Sequence, residues 1–316
     1  MKVVSTANLQ KGLQEHLLST FSEIDFLFYA NIEAADEALF SADILITYGE
    51  DLTEAHIEQA EQLKWIMVIS AGLEKMPLAL IKKKGIMVTN ARGIHKIPMA
   101  EYTIGAMLQF VKNMRQWSEN QSHHQWNKAI PTGELAGKTV TIIGPGAIGQ
   151  EIARLGAAFR MKSLGVSRSG QPLEHFDQIY SIDEIEQALP DADFVVAILP
   201  QTEQTEGLIK ERHFALMSEQ AIFINIGRGK TVVQDDLLKA LQSGMIRGAV
   251  LDVFEEEPLD QSHPFWEMDN VIVTPHVSSA TSEYQPRSIT IFEHNLKVYL
   301  SGENNFINAI DLDRGY

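Results

Sequence analysis

The sequence contains no cysteine, which excludes disulfides, thiolate nucleophiles and cysteine-based metal sites together. Basic residues are scarce: 26 Lys and Arg stand against 42 Asp and Glu, which gives a formal net charge of −16. A phosphate backbone would repel so acidic a chain, so we expect no nucleic-acid partner. Apolar runs stay below the roughly 18 residues of a membrane span, and Met1–Val4 leads into a strand pattern instead of a signal peptide. We therefore expect a cytoplasmic protein without membrane contacts.

The 316 residues suggest two domains, because one domain usually holds roughly 100–200 residues. Two series of short apolar runs, rich in β-branched and aromatic residues, predict strands that are buried on both faces. The first series is Lys2–Ala7, Asp25–Tyr29, Ile44–Tyr48, Trp65–Ser70 and Ile86–Thr89, and the second is Thr139–Ile143, Met161–Ser167, Phe194–Leu199, Ala221–Ile226, Gly248–Phe254 and Val271–Thr274. Because helical stretches alternate with these strands, each series predicts a parallel sheet.

Helix signals complete this pattern. Thr53 is a candidate N-cap for a helix that extends to Leu63, and Pro98 opens a longer helix whose apolar stripe reaches Met114. The polar stretch 118–133 shows no clear period, and a final helix is predicted around 288–300. The predicted fold class is α/β, with two Rossmann-like or flavodoxin-like parallel-sheet domains joined by long helices.

A glycine-rich turn follows the first strand of the second series and precedes a helix, which is the context that gives G-x-G-x-x-G a mechanism. Gly144 permits the tight turn, Gly146 lets the backbone approach a pyrophosphate, and Gly149 lets the helix pack on the strand. The anion would rest on the N–H groups where the helix begins, at Ala147 and Ile148. The alternative is a glycine-rich turn without a ligand.

The tip of the next strand indicates which dinucleotide binds. An NAD site places Asp or Glu about 20 residues after the glycines, to bind the ribose hydroxyls. Here that position holds Ser167, followed by Arg168 and Ser169. A guanidinium and two hydroxyls suit a 2′-phosphate, so NADP is the favoured cofactor and NAD the alternative. Arg168 could instead be a solvated loop residue.

Three later segments each follow a predicted strand and end near a polar side chain: Arg228, Glu257 and His276. Ligands of open parallel sheets bind beyond the carboxyl ends of the strands, so these segments should converge on the cofactor, with Ile226, Gly227, Asp252 and Ser278 beside it. An arginine could hold a 2-oxo acid, a histidine could transfer a proton, and a glutamate could keep the imidazole charged. Taken singly, each residue could also be a surface arginine, a solvated acidic run or a turn histidine. No metal site is expected, because His123 and His124 have no partner at ligand spacing.

The motifs N-x-x-R-G, D-V-F-x-x-E-P and P-H resemble, in order, those of the D-isomer-specific 2-hydroxyacid dehydrogenase family, and Leu199-Pro200 with Thr205 resembles its cofactor-contacting turn. The resemblance implies that Arg228 binds substrate and that Glu257 pairs with His276, the acid/base. It also implies that Asp252 lies near the nicotinamide. It further implies that the backbone of Ser70, Ala71 and Gly72 holds the substrate carboxylate.

The resemblance also implies a substrate domain of residues 1–96 plus 285–316, a dinucleotide-binding domain of residues 97–284, and a homodimer formed through the latter. The tip at residues 167–169 is similar to the NADPH-linked glyoxylate/hydroxypyruvate reductase branch, so the expected substrate is glyoxylate, hydroxypyruvate or a similar 2-oxo acid. The segment Ala91–Ile97, with His95, departs from the commonest family pattern.

Other functions compete with this one. The first is a non-catalytic NAD(P)-binding regulatory protein of the same fold, and the second is another Rossmann enzyme such as a methyltransferase, which would leave the Arg–Glu–His set idle. Formate dehydrogenases of the family carry glutamine where this chain has Glu257. The chain ends at Tyr316, so we expect no appended regulatory domain of the kind found in some phosphoglycerate dehydrogenases.

Overall fold

The computed structural model describes residues 1–70, 72–73 and 75–312. Its strands are β1 (Lys2–Ser5), β2 (Asp25–Phe28), β3 (Ile44–Thr47), β4 (Trp65–Val68), β5 (Met87–Asn90), β6 (Thr139–Ile143), β7 (Lys162–Ser167), β8 (Gln178–Ser181), β9 (Phe194–Ala197), β10 (Ile222–Asn225), β11 (Gly248–Leu251) and β12 (Val271–Val273). Its helices are α1 (Lys11–Thr20), α2 (Ile32–Phe40), α3 (Glu54–Gln59), α4 (Leu78–Lys83), α5 (Lys96–Val111), α6 (Met114–Ser122), α7 (Ala147–Ala158), α8 (Glu211–Phe214), α9 (Gln234–Gln242) and α10 (Tyr284–Ser301).

The chain divides into two compact units. The first unit comprises Met1–Ile94 and the chain from Thr281 onward, and the second unit comprises His95–Ala280. Among the described residues, the first unit has a five-stranded sheet of order β2-β1-β3-β4-β5, and the second a seven-stranded sheet of order β12-β11-β10-β9-β6-β7-β8. All pairings of these strands are parallel, which confirms the predicted α/β class with two parallel sheets.

Both faces of each sheet are covered by apolar side chains. In β6, Ile142 packs into one cluster of the second unit and its neighbour Ile143 into the other. In β1, Val3 and Val4 divide in the same way between the two clusters of the first unit. This alternation is what a strand does when helices cover both faces, and it explains why the strands read as continuous apolar runs.

Most strands are shorter than the apolar runs that predicted them. Val253 and Phe254, for example, are buried but lie in the loop after β11. Hydrophobicity therefore continues past the last ladder hydrogen bond, because the loop at this sheet edge is itself packed. The edge strand β8 was not predicted, since three of its four residues are only half-buried and the fourth is exposed.

The helix predicted from Pro98 to Met114 is wrong at its end. Asn113 adopts a left-handed φ of 48°, which terminates α5, and Met114 begins the separate helix α6. The polar stretch 118–133 therefore begins inside a helix, which sequence periodicity missed because α6 is polar on nearly every side. The N-cap at Thr53 is confirmed, since its side chain accepts a hydrogen bond from the His56 N–H. None of the helices in the described part combines the length and apolar character needed to cross a membrane.

Candidate active site

The turn after β6 has the backbone geometry of a dinucleotide-binding loop. Gly144 has a φ of +98°, and a Cβ there would lie 2.4 Å from the carbonyl oxygen of Ile198, so no side chain fits. Gly149 packs where α7 meets β6, and its added Cβ would lie 3.0 Å from Ile142 Cγ2. Gly146 has open space around it, with nothing within 4 Å of an added Cβ. Of these three glycines, only Gly146 therefore leaves room for a ligand.

The first turn of α7 adjoins this open space. Ala147 is exposed, whereas the side chain of Ile148 packs against the core, so both can offer only backbone N–H groups to a ligand. First-turn N–H groups have no intrahelical acceptor, and the helix dipole places partial positive charge there. An anion such as a pyrophosphate fits this position.

A cavity of about 780 Å³ lies at the carboxyl ends of β6, β7 and β9. The predicted cofactor residues that line it are Gly144, Gly146, Ser167, Arg168, Leu199, Pro200 and Thr205. The residues Ile226, Gly227, Asp252 and Ser278 follow β10, β11 and β12 instead, farther along the same edge of the sheet. Ile226 and Gly227 are buried, so only their backbone could contact a ligand.

The tip of β7 offers hydroxyls and a guanidinium. Ser167 Oγ accepts a hydrogen bond from the Gly170 N–H (3.1 Å), and Ser169 Oγ accepts one from the Gln171 N–H (3.4 Å). Arg168 is exposed and lines the cavity, which Glu203 also lines from the loop after β9. The two serines thus hold the turn that presents Arg168.

The hydroxyl of Thr205 shapes the turn after β9. It donates to the Pro200 carbonyl (2.6 Å) and accepts from the Thr202 N–H (2.9 Å). Both contacts are internal to the turn, so Thr205 holds the wall of the cavity in place.

Arg228 stands in a loop that its neighbours fix tightly. The side chain of Asn225 accepts from the Gly227 N–H (3.2 Å) and donates to the Arg228 carbonyl (3.3 Å). A Cβ at Gly229 would lie 1.9 Å from the Phe254 carbonyl group, so this position tolerates only glycine. Arg228 is exposed, and its Nη1 donates to the Gly227 carbonyl (2.9 Å), which leaves the rest of the fork available.

Asp252 is fully buried, and its carboxylate is occupied by the loop after β12. Oδ1 accepts from Thr274 Oγ1 (2.6 Å) and from the Val277 N–H (2.8 Å), while Oδ2 accepts from the Ser278 N–H (2.9 Å). A buried carboxylate needs such donors, because an unpaired charge is costly away from water. Asp252 and Ser278 therefore build the turn that carries His276.

Glu257 and His276 form a direct pair: Glu257 Oε2 lies 2.8 Å from His276 Nδ1. The other carboxylate oxygen, Oε1, accepts from the Phe254 N–H (3.1 Å), which orients the group. The side chains are 45% and 36% exposed for His276 and Glu257, so the pair reaches the surface of the second unit. In this arrangement the His276 Nε2 atom is the one left to meet a ligand.

The two glutamates that precede Glu257 have other surroundings and do not pair with His276. Glu255 Oε1 accepts from the Gln234 N–H (2.9 Å) at the start of α9, and the Glu255 N–H donates to Gln234 Oε1 (3.2 Å). Glu256 is exposed. The acidic run thus divides between a helix cap, a solvated side chain and the partner of His276.

Ser70 and Gly72 belong to the first unit, and Ala71 lies outside the described residues. Ser70 Oγ lies within hydrogen-bonding distance of two carbonyl oxygens, those of Tyr48 (3.1 Å) and Gly72 (3.3 Å), and its single proton can be donated to either, so it stabilises the loop after β4. His123 contacts the Glu119 carbonyl at the end of α6, and the described residues hold no group of three or more His, Asp or Glu side chains arranged for a metal ion.

His95 acquires a place that the sequence did not predict. It occupies the N-cap position of α5, in the same unit as Arg228. Burial, and then the Arg228 guanidinium, lower the pKa of His95, so the neutral imidazole is favoured. No sequence pattern predicts that His95 and Arg228 interact, because the two residues are far apart in the chain.

Residues 104–278 match the family model of the D-isomer specific 2-hydroxyacid dehydrogenase, NAD binding domain. The chain belongs to the D-isomer specific 2-hydroxyacid dehydrogenase family. It is therefore an NAD(P)-dependent oxidoreductase of the 2-hydroxyacid dehydrogenase class, and the glycine loop, open at Gly146 beside the α7 N-terminus, fits such a cofactor.

Known members of this dehydrogenase family are similar over most of the chain. It is 34% identical over 298 residues to a D-3-phosphoglycerate dehydrogenase of Methanocaldococcus jannaschii, covering 92% of this chain but only 56% of that protein. The structure of a D-isomer specific 2-hydroxyacid dehydrogenase family protein from Aeromonas salmonicida has a TM-score of 0.86 at 32% identity and covers 99% of both chains. An NADPH-dependent glyoxylate/hydroxypyruvate reductase from Sinorhizobium meliloti, solved with NADP and sulfate, has a TM-score of 0.80 at 29% identity, covering 100% of this chain and 99% of that one.

Proposed function

We propose that this protein reduces a small 2-oxo acid, glyoxylate or hydroxypyruvate in the first place, to the 2-hydroxy acid with NADPH. The observation that carries the proposal is the Glu257–His276 pair at 2.8 Å, at the same sheet edge as Arg228 and the glycine loop. A bound nicotinamide supplies the hydride for C2 of the substrate. The chain must then supply a proton at the C2 oxygen and a cation for the substrate carboxylate.

His276 is the proposed proton donor. Glu257 occupies Nδ1, so Nε2 faces the substrate oxygen and loses its proton as the hydroxyl forms. The Glu257 carboxylate at Nδ1 orients the ring for this transfer. The same pair takes the proton back when a 2-hydroxy acid is oxidised.

Arg228 is the proposed substrate-binding residue. Its planar fork matches a carboxylate, and its charge stabilises the negative oxygen that develops at C2. The contact of the substrate with the backbone of Ser70, Ala71 and Gly72, in the first unit, remains a prediction.

The second unit would hold the cofactor, with the pyrophosphate at Gly146 and the first turn of α7. The proposed preference for NADPH rests on the Ser167-Arg168-Ser169 tip, where a serine replaces the ribose-binding carboxylate and a guanidinium follows it. Similarity to the NADPH-dependent enzyme of Sinorhizobium meliloti supports this choice and the substrate class.

The test is oxidation of NADPH and of NADH, followed by absorbance against glyoxylate, hydroxypyruvate, pyruvate and 3-phosphohydroxypyruvate. We expect kcat/KM about ten- to a hundredfold higher with NADPH, since a charge-assisted contact to the 2′-phosphate is worth about 1.5–3 kcal/mol. Arg168→Ala should remove that preference while NADH turnover stays nearly unchanged. Equal use of both cofactors by the unmodified protein would refute the NADPH assignment.

The competing function is an NAD(P)-binding regulatory protein without turnover. Tight cofactor binding in a fluorescence titration, with no oxidation against any of these acids, would favour it over the reductase. An enzyme active only on the phosphorylated acid would instead point to the activity named for the Methanocaldococcus jannaschii relative.

We further propose a homodimer formed through the second unit, and a cytoplasmic location. The side chain of Trp126, between α6 and β6, is 90% exposed in the single chain, and large exposed aromatic groups are typical of interfaces. Light scattering on a sizing column should give twice the mass of 35.3 kDa, and Trp126→Ala should shift it toward the monomer. A monomeric unmodified protein would contradict the dimer.

A further inference from the structure

A chain of hydrogen bonds connects helix α5 to the turn that carries His276. The hydroxyl of Tyr102, on α5, lies 2.6 Å from Thr274 Oγ1, and Thr274 Oγ1 lies 2.6 Å from Asp252 Oδ1. Asp252 in turn accepts the N–H groups of Val277 and Ser278, on the far side of His276. This chain of hydrogen bonds, which we call the relay, therefore joins both ends of the turn to one buried carboxylate.

The proton positions in this relay follow from the chemistry of its members. The Asp252 carboxylate accepts two backbone N–H groups and can only accept from Thr274 as well. The single hydroxyl proton of Thr274 is thus used toward Asp252, so Tyr102 must donate to Thr274 Oγ1. Burial raises the pKa of Tyr102 to about 12, which keeps its donor proton in place at every physiological pH.

The turn needs this support because its backbone is constrained. His276 has a left-handed φ of 54°, which is uncommon for any residue other than glycine. Such a conformation persists only where the surroundings determine it. Here the His276 N–H also donates to the Asp252 carbonyl (2.8 Å), so the same residue holds the turn from its backbone and from its side chain.

We propose that Tyr102 is a positioning residue for His276, acting through Thr274 and Asp252. The ring of Tyr102 packs against one of the apolar clusters of the second unit, and this packing holds the hydroxyl in place. The hydroxyl can therefore stabilise the turn through its hydrogen bond to Thr274 Oγ1. It does not touch the reacting atoms. The kinetic consequence rests on the proposed reductase function, whereas the structural one does not.

Tyr102→Phe removes the hydroxyl and keeps the ring. We expect kcat to fall about three- to tenfold, the worth of one hydrogen bond in such a network, with the dissociation constant for NADPH unchanged. Thr274→Val should cost more, about ten- to a hundredfold, because it also removes a donor from the buried carboxylate. Thr274→Ser keeps the hydroxyl and should stay within about twofold of the unmodified protein. The Tyr102→Phe/Thr274→Val double variant should be no slower than Thr274→Val alone, since Tyr102 acts through Thr274.

A second readout needs no substrate. In the cofactor-free protein, Tyr102→Phe should speed amide hydrogen exchange at Val277 and Ser278 about three- to tenfold, because both N–H groups depend on Asp252. The matched control is Tyr299→Phe, whose ring stacks on Trp65 in the first unit and whose exchange and kcat at this site should not change. Unchanged exchange in Tyr102→Phe, or rate losses that add in the double variant, would overturn the proposal. Absent turnover in the unmodified protein would count against the reductase function only.

Discussion

At the scale of the residue, three consecutive glutamates have three different environments. Glu257 contacts His276 at 2.8 Å, Glu255 caps α9, and Glu256 is exposed. Identical side chains thus differ in function because the loop after β11 turns each of them toward a different neighbour. This division makes the mechanism testable within one short segment.

Glu257→Gln should lower kcat for reduction and leave the dissociation constant for NADPH unchanged. The neutral amide is a weaker acceptor at His276 Nδ1, so the ring is held less firmly toward the substrate oxygen. His276→Ala should cost about 10²–10⁴-fold in rate. Steady-state kinetics and a fluorescence titration of the cofactor provide the measurements.

Glu256→Gln is the matched control, because it removes the same charge from an exposed position. Its kcat should equal that of the unmodified protein. A loss of kcat in Glu256→Gln but not in Glu257→Gln would mean that the carboxylate beside His276 does not orient the ring.

Arg228→Lys should behave as a severe change although the charge is kept. The lysine ammonium lacks the planar fork that grips a carboxylate at two points. We expect KM for the oxo acid to rise, kcat to fall, and NADPH affinity to change little. The exposed Arg212, which pairs with Glu186, offers a control as Arg212→Lys, and equal kinetics in both variants would return Arg228 to a surface role.

At the scale of the element, each of the two sheets has a strand whose first residue donates a hydrogen bond to an aspartate side chain. The Lys2 N–H donates to Asp43 Oδ2 and the Thr139 N–H donates to Asp193 Oδ2, each at 2.9 Å. In both cases the aspartate follows an alanine and directly precedes a strand that pairs with the donor's strand. The first N–H of β1 and the first N–H of β6 thus each gain a charged acceptor.

The short helix α8 contains a histidine that makes stability depend on pH. His213 is fully buried, its Nδ1 accepts from the Lys210 N–H, and burial, followed by the charge of Arg212, lowers its pKa. The folded state therefore binds this proton less readily than the unfolded chain. The contribution of His213 to the free energy of unfolding is complete above about pH 6.5. It is lost as pH falls, by up to about 1.4 kcal/mol per pH unit.

Urea unfolding at about pH 7.5 and about pH 5.5 measures this effect. His213→Asn keeps an acceptor for the Lys210 N–H but cannot titrate, so its loss of stability on acidification should be smaller than that of the unmodified protein. Equal losses in both proteins would show that the folded state binds the His213 proton as readily as the unfolded chain does.

At the scale of the whole molecule, each unit has its own sheet with an apolar cluster on each face. The second unit is continuous in sequence, and every residue that lines the proposed cofactor cavity belongs to it. A fragment of residues 95–280 should therefore fold cooperatively and bind NADPH within about tenfold of the full chain, yet catalyse no reduction. Circular dichroism melting and a fluorescence titration test this, and a fragment that folds without binding would place essential cofactor contacts in the first unit.

The amino-acid sequence alone predicts the two parallel sheets, the glycine loop and the order of the Arg, Glu and His segments. These features are local: strand periodicity, a turn that Gly144 alone can make, and motifs that end strands are all written in neighbouring residues. It also identified Thr53 as a cap, because a cap needs only the following turn.

The folded structure is needed to see which neighbour each polar group meets. It divided the acidic run between His276 and α9, buried Asp252 under the turn, and ended α5 at Asn113. It also joined Tyr102 to Thr274, which lie 172 positions apart. Such contacts depend on the packing of helices on a sheet and on the path of its loops, and no local pattern encodes that packing.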